Sequence, residues 1–395
     1  MSNHILMLNI PAWGHMRPAL AVTEELVRRG HRVSFLAPKG FETAIRAAGA
    51  TAVPYESTLG QALAPGQGIP DQDGNMRLAI SFMRESVEVM PQVERLFVDD
   101  IPDLVMYDIA VGAAGRALGA RWGRPAVQST PSMASNEHYS HIHEVFRFSG
   151  VPADHPGFAE IFTWARNFPM ELTPAGPTPE RSVVYIPREF QTAGDTFGEE
   201  AVFVGHSFPT EQISEWSPPS DGGLPLVIVS MGTLHNGEAE FFRTCVEAFR
   251  DRPWRVVITL GRSTDMAFPE KLPPNVEIHS WIPQLAALEE ATAFVTATGL
   301  GSLMSALLAG TPPVMIPSVA ENVVLARRAA VLGLGTLLTP EVTADELFKA
   351  VCSLAEDEAT RRRVRRMSAS MTRSGGAPRA ADALEKWLCT APSAR

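Results

Sequence analysis

"NIPAWGHMRPAL", residues 9–20, decides how the chain begins. It overlaps a short, continuous apolar run, HILMLNI at 4–10, of the kind found in a parallel strand buried on both faces. It leads into MRPALAVTEELVRRGH at 16–31, where apolar residues recur at helical spacing until Gly30 stops the helix. RVSFLA at 32–37 is the next strand. Strand, tight turn, helix and strand make a βαβ unit. Its turn stands at the carboxyl end of a strand, where such sheets bind ligands. Trp13 and His15 lie in that turn. An imidazole can carry a proton at neutral pH and an indole cannot, so the stretch raises the question of catalysis as soon as it fixes the fold.

The alternation repeats. PDLVMYD (102–108), AVGAAGRALGARWG (110–123) and PAVQS (125–129) read as strand, helix and strand, and SVVYIP and AVFVG follow beyond residue 180. EWSPPSDGGLP at 215–225 is rich in Pro, Ser and Gly and reads as a linker. The second half then restarts with LVIVSMG (226–232), WRVVITLG (254–261), VEIHSW (276–281), AFVTAT (293–298) and PPVMIP (312–317). EAEFFRTCVEAFRD (238–251) and AENVVLARRAAVLG (320–333) are helices between them. The fold class predicted is α/β, with two doubly wound Rossmann-like domains facing each other across a cleft.

Composition narrows the function. A chain of 395 residues is too long for one ordinary core. A net charge of −10 argues against a nucleic-acid partner, whose phosphates need clustered Lys and Arg. Cys245, Cys352 and Cys389 form no CxxC pair, which predicts neither a disulfide framework nor a zinc site and fits a cytoplasmic protein. The N-terminal run is a strand rather than a signal peptide, and no stretch approaches the ~20 apolar residues of a membrane span. Neither GxGxxG after the first strand nor GxxxxGK[ST] occurs, so dinucleotide binding and P-loop chemistry lack their signals.

Residues 55–90 and 131–172 break the alternation. They hold Phe82, Met83, Met133, Tyr139, Phe146 and Trp164, together with Phe168, Met170 and the histidines His138, His141 and His143. Each residue taken singly reads as a helix packing its own apolar face over the sheet. As a group they suit an apolar small-molecule ligand, and Trp13 joins them as a wall of that pocket. The three histidines do not fit a helical i, i+4 pair and have no carboxylate at a ligating offset, so no metal is expected.

Nearly the whole chain resembles the GT-B glycosyltransferases that use nucleotide sugars, in particular the bacterial macrolide branch related to plant and animal UDP-glycosyltransferases. The resemblance is carried by PAWGHMRPALAVTEELVRRGH, by PDLVMYD with ALGARWGRPAV, by VIVSMGT (227–233), by VEIHSWIPQLAAL (276–288) and by GGAPRAADALEKW (375–387). It implies an acceptor-binding domain over 1–214, a donor-binding domain over 226–374 and a closing helix over 375–395 that returns to the first domain. It implies no cofactor, the nucleotide-diphosphate sugar being a co-substrate. Trp281 stands where the family stacks an aromatic face on the donor base, and Gln284 follows where it bonds base or ribose. Ser230, Gly232 and Thr233 match the phosphate turn, Gly299 and Ser302 open the helix of the donor signature, and Glu321 with Asn322 takes the place of the acid–amide pair that holds the sugar hydroxyls. The partners implied are an apolar acceptor and a nucleotide sugar; a homodimer is left open.

Four positions depart from the family pattern. The signature histidine that supports the leaving diphosphate is Ala297, with Thr298 beside it as a weaker donor; the ribose-binding Glu is Ser305, and the later Asn is Leu325. Trp13 stands on the position read as the general base, so Asp108, matching the helper carboxylate, is left without its histidine, and His15 is the remaining candidate. A missing base costs ~10²–10⁴-fold in rate. Two expectations follow. The first is an inverting glycosyltransferase of polyketide-type natural products, with Asp108 alone or with His15 as the base. The second is a glycosyltransferase-fold protein that no longer transfers sugar and instead binds or converts an apolar molecule, by cyclisation or dehydration, or serves as an auxiliary partner.

Overall fold

The structure, a computed structural model, describes residues 2–60, 63, 70–166, 181–207, 223–232, 239–261 and 272–390. The chain divides into two compact units. The first is built on Met1–Leu63, Asp71–Thr210 and Arg373–Arg395 and the second on Glu211–Thr372. Most of the stretch read as a linker, 215–225, lies outside the described residues.

The first unit runs β1 (His4–Leu8), α1 (Trp13–Arg28), β2 (Arg32–Ala37), α2 (Glu42–Ala47), β3 (Thr51–Pro54), α3 (Gln72–Leu96), β4 (Leu104–Asp108), α4 (Gly112–Trp122), β5 (Ala126–Thr130), α5 (His141–Phe148), α6 (Gly157–Arg166), β6 (Ser182–Val184) and β7 (Ala201–Phe203). Its seven strands are parallel, in the order β3-β2-β1-β4-β5-β6-β7. The order reverses between β1 and β4, so their carboxyl ends flank the topological switch point, the ligand-binding position of such sheets. Residues of β1, β2 and β4 are buried on both faces of the sheet, as continuous apolar runs require.

The second unit runs β8 (Leu226–Ser230), α7 (Ala239–Phe249), β9 (Arg255–Thr259), β10 (Val276–His279), α8 (Gln284–Glu289), β11 (Ala293–Thr296), α9 (Leu300–Ala309), β12 (Pro313–Met315), α10 (Ala320–Val331), β13 (Thr336–Leu337), α11 (Ala344–Glu356) and α12 (Glu358–Arg373). Its six parallel strands are ordered β10-β9-β8-β11-β12-β13, and the switch point lies between β8 and β11. The last helix, α13 (Gly376–Thr390), belongs to the first unit. It packs on α1: Ala380, Ala381, Leu384 and Trp387 join the core that also holds Ala19, Leu20 and Leu26. Arg29 bonds Asp382 (2.8 Å) and Glu385 (2.7 Å), and His31 reaches Glu385 (3.0 Å).

The segment expected to interrupt the alternation holds one long helix, α3. It packs along α6 and α4. Gly115 lets α4 come close to β4. A Cβ there would lie 2.0 Å from the Cγ of Tyr107, itself fully buried and next in sequence to Asp108. Gly115→Ala is therefore expected to destabilise the first unit by ~3 kcal/mol or more, since neither the strand nor the tyrosine has room to shift. Denaturant unfolding checks this, and an unchanged midpoint would contradict the packing described.

Candidate active site

The turn after β1 is held by Asn9. Its Oδ1 accepts the Ile10 amide at 2.7 Å, and its Nδ2 donates to the His15 carbonyl at 3.3 Å. The helix then starts at Trp13, earlier than the apolar spacing predicts, and His15 falls in its first turn. Across the switch point β4 ends at Asp108, fully buried, whose two oxygens are both used. Oδ1 accepts the Ala110 amide at 2.8 Å, capping the short turn that follows the strand. Oδ2 accepts from the Nδ1 of His15 at 2.8 Å.

That contact corrects the expectation that Asp108 stands without a histidine. The β1–β4 pairing, with Leu8 opposite Tyr107, brings the first turn of α1 beside the end of β4, and the residue that faces the carboxylate from there is His15. Its side chain is 22% exposed while that of Asp108 is sealed off. The arrangement is a partly accessible imidazole with a buried carboxylate behind it. Such a carboxylate fixes the ring's orientation and tautomer and stabilises the imidazolium that forms when the ring takes a proton. Trp13 sits elsewhere. Its ring packs on Phe41, centroids 4.8 Å apart, at the edge of the core.

Among the other candidates of the first unit, Met133, Tyr139 and His141 are brought together. Tyr139 donates its hydroxyl toward the Met133 sulfur (3.7 Å), and His141 Nε2 lies 2.8 Å from the Ser132 hydroxyl. Phe146 packs on Phe158, and Arg84 of α3 lies over the Trp164 ring. Phe82 and Met83 are half-buried on α3. Phe168 and Met170 lie outside the described residues. Among the described residues no group of three or more His, Cys, Asp or Glu side chains is arranged to hold a metal ion, and no helix is long and apolar enough to cross a membrane.

In the second unit, Ser230 ends β8 directly opposite Thr296, the last residue of β11, so both chain turns leave the sheet side by side at the switch point. Gly232, at φ +90°, continues the first turn in a conformation closed to most side chains. Thr233 lies outside the described residues. After β11 comes Ala297, buried, and then Thr298 at φ +67°, a left-handed backbone that a β-branched residue adopts only at a cost. The Thr298 amide is tied to the Thr296 hydroxyl at 3.1 Å. Gly299 is the cap of α9 and supplies no side chain to its N-terminal amides. Ser302 follows on α9 and accepts from Gln284 of α8 at 3.2 Å. Trp281, in the loop before α8, is 53% exposed. Glu321 and Asn322 lie in the first turn of α10, and both are partly exposed. Ser305 is buried and donates to the Gly301 carbonyl at 2.9 Å, which leaves it satisfied within its own helix. Leu325 is core.

Comparison with known proteins agrees with this architecture. Residues 251–385 match the family model of the erythromycin biosynthesis protein CIII-like C-terminal domain. The chain is 36% identical to the NDP-glycosyltransferase YjiC of Bacillus licheniformis over 98% of each chain. It is 35% identical to the oleandomycin glycosyltransferase of Streptomyces antibioticus over 98% of this chain and 91% of that one. The chain belongs to this glycosyltransferase family. The solved structure of CalG4, the calicheamicin glycosyltransferase, superposes with a TM-score of 0.86 at 37% identity, covering 99% of this chain and 100% of the other. The two parallel-sheet domains are thus those of the GT-B fold, and the protein is an enzyme of glycosyltransferase type.

Sequence reasoning missed three residues that the structure places around the His15 turn: Asn9, Tyr55 and Glu85. Tyr55 donates its hydroxyl to Glu85 (3.0 Å) and lies 3.3 Å from the Asn9 carbonyl. The signal for Glu85 was present. It shares the face of α3 with Val89 and Val93, where a carboxylate is out of place unless something binds it.

Proposed function

We propose that this enzyme transfers a sugar from a nucleoside-diphosphate donor to a hydroxyl of an apolar, polyketide-like acceptor, inverting the anomeric centre. The observation that carries the reading is the 2.8 Å bond between His15 and Asp108. With Nδ1 committed to the carboxylate, proton transfer falls to Nε2. The acceptor O–H gives its proton to that nitrogen as its oxygen forms the new bond to the anomeric carbon. The bond from that carbon to the diphosphate breaks on the opposite side, and its electron pair leaves on the phosphate oxygen. Direct displacement of this kind inverts configuration. His15 acts as the catalytic base and Asp108 positions it and balances the imidazolium charge.

The donor half of the reading rests on the second unit. The half-exposed indole of Trp281 offers a stacking face for a nucleobase. The turn at Ser230 and Gly232 and the uncapped N-terminus of α9 offer amides to a diphosphate. Glu321 and Asn322 are the groups for sugar hydroxyls. The acceptor half rests on the aromatic and thioether side chains of the first unit, Met133, Tyr139, Phe146 and Trp164 with Phe82 and Met83, which suit an apolar ligand. The second expectation, a fold that has lost its chemistry, leaned on Trp13, Ala297 and Ser305 together; with His15 read as the base the first of these losses is met, and no observation favours loss of transfer.

Calorimetric titration of uridine and thymidine diphosphates tests the donor half. Saturable binding of one of them is expected, and Trp281→Ala should weaken it about tenfold or more, the usual worth of a base stacked on an aromatic ring. If neither nucleotide binds, the assignment of the second unit fails.

A further inference from the structure

We propose that Asn9, Tyr55 and Glu85 form a positioning network that seats the His15 imidazole on Asp108, placing the base under the control of the helix that carries Phe82 and Met83. The proposal rests on the reading of His15 as the base.

Glu85 is 1% exposed, and no ion pair is seen at it among the described residues. A buried carboxylate without a cation must be met by hydrogen-bond donors. Glu85 is met by three. The Thr58 amide (2.7 Å) and hydroxyl (2.6 Å) bond Oε2, and the Tyr55 hydroxyl (3.0 Å) bonds Oε1. Were these the whole pattern, Glu85 would only fasten the segment after β3 to α3. The Tyr55 proton, however, is shared. Its second acceptor is the Asn9 carbonyl at 3.3 Å, and Asn9 is the residue whose side-chain amide holds the His15 carbonyl. The chain of contacts therefore runs from α3 through Tyr55 and Asn9 to the backbone of the base, and from the base's ring to Asp108. Burial first, and then the Glu85 charge, keeps the Tyr55 hydroxyl protonated well beyond its ordinary range, with the Asp108 charge acting in the same sense. The donor is thus present at any working pH. Phe82 and Met83 precede Glu85 on α3, within one turn. An acceptor that settles against them would press on the network that aims His15.

The test uses the full chain with Tyr55→Phe and Glu85→Gln, changes that keep volume and remove one hydroxyl or one charge. Transfer kinetics, nitrogen-15 histidine NMR and thermal unfolding are measured together, and the His15 signal is assigned by its absence in His15→Gln. Tyr55→Phe is expected to lower kcat ~10- to 100-fold, the usual effect of a group that orients a reacting one, with the donor KM unchanged. It should also move the His15 titration midpoint down and depopulate the tautomer protonated at Nδ1, since a loosened carboxylate favours the charged ring less. Glu85→Gln should give the same changes in smaller measure: its single amide oxygen can serve Thr58 or Tyr55 but not both, while the Tyr55 hydroxyl keeps the Asn9 carbonyl as an acceptor. A lower unfolding midpoint with parental kcat and a parental His15 titration would overturn the proposal and leave the network a structural fastening. Should Tyr55→Phe fail to fold, Glu85→Gln decides on the same readouts. If the parent chain transfers no sugar, the reading of His15 as a base fails, while the NMR titration still decides whether the network seats its ring.

Discussion

His15→Gln is expected to lower the sugar-transfer rate by ~10²–10⁴-fold while leaving nucleotide binding intact. Glutamine keeps a polar group of similar reach in the first turn of α1, and its amide can still meet Asp108, so the fold should persist. It cannot take a proton from the acceptor. The loss should fall on kcat and not on the donor KM, because His15 lies in the first unit and the groups proposed to hold the donor lie in the second. The loss should also shrink with acceptors that are already acidic. A phenol whose oxygen is ionised at the assay pH needs no base, so it should be transferred by the variant at a rate nearer the parent's than an aliphatic alcohol is. Steady-state kinetics with one alcohol and one phenol check all of this. A rate within a few-fold of the parent with the alcohol acceptor would remove His15 from the mechanism.

Asp108→Asn should cost a comparable ~10²–10⁴-fold, for a different reason. The two side chains have the same shape, so the bond to the Ala110 amide can be kept through the amide oxygen. The amide then turns its NH₂ toward the position of Oδ2, where His15 now donates. A donor meets a donor, and the ring must flip its tautomer or move. The flipped tautomer carries its proton on the nitrogen that has to receive one, and a displaced ring loses its aim at the acceptor. The charge that would balance the imidazolium is also gone. Because the two residues act as a unit, the double variant His15→Gln with Asp108→Asn should be little slower than either single one. Simple multiplication of the two losses would mean that they act independently and would contradict the pairing.

The sequence was a good guide wherever periodicity carries the information. The run 32–37 is a strand from end to end, and the strands and helices of the second unit fall within a few residues of their apolar runs, because its inner strands β8, β9, β11 and β12 are buried on both faces and its helices carry apolar stripes. The long helix α3 was hidden for a physical reason. Its buried face carries Glu85 and Ser86 among the apolar residues, and Pro91 lies within it. The turns after β8 and β11 were legible as glycine and hydroxyl positions. The left-handed backbone at Thr298 was not, since nothing in a threonine announces a positive φ.

The start of the first helix differs from the expectation by three residues. Matching the first loop to the family's His-Gly-His arrangement set Trp13 on the first histidine and left His15 as the second, and starting the helix at Met16 kept His15 in a loop. The helix in fact begins at Trp13, capped by the Ala12 carbonyl, which accepts the His15 and Met16 amides. That start turns the His15 ring toward β4. Asp108 is 93 residues away in sequence, and only the parallel register of β1 and β4 brings it there. A pattern of single residues could not show a contact that depends on a helix start and a strand register together.

The central claim is that the base is His15 and that position 13 never needed to supply one. The most direct measurement is the transfer rate of the double variant Trp13→His with His15→Gln, compared with His15→Gln alone and with the parent. The indole ring of Trp13 packs on Phe41, and a histidine placed there has the core edge and not Asp108 for a neighbour. The double variant should therefore stay as slow as His15→Gln. Recovery of the parental rate by a histidine at position 13 would show that the base belongs there and that the bond between His15 and Asp108 is structural only.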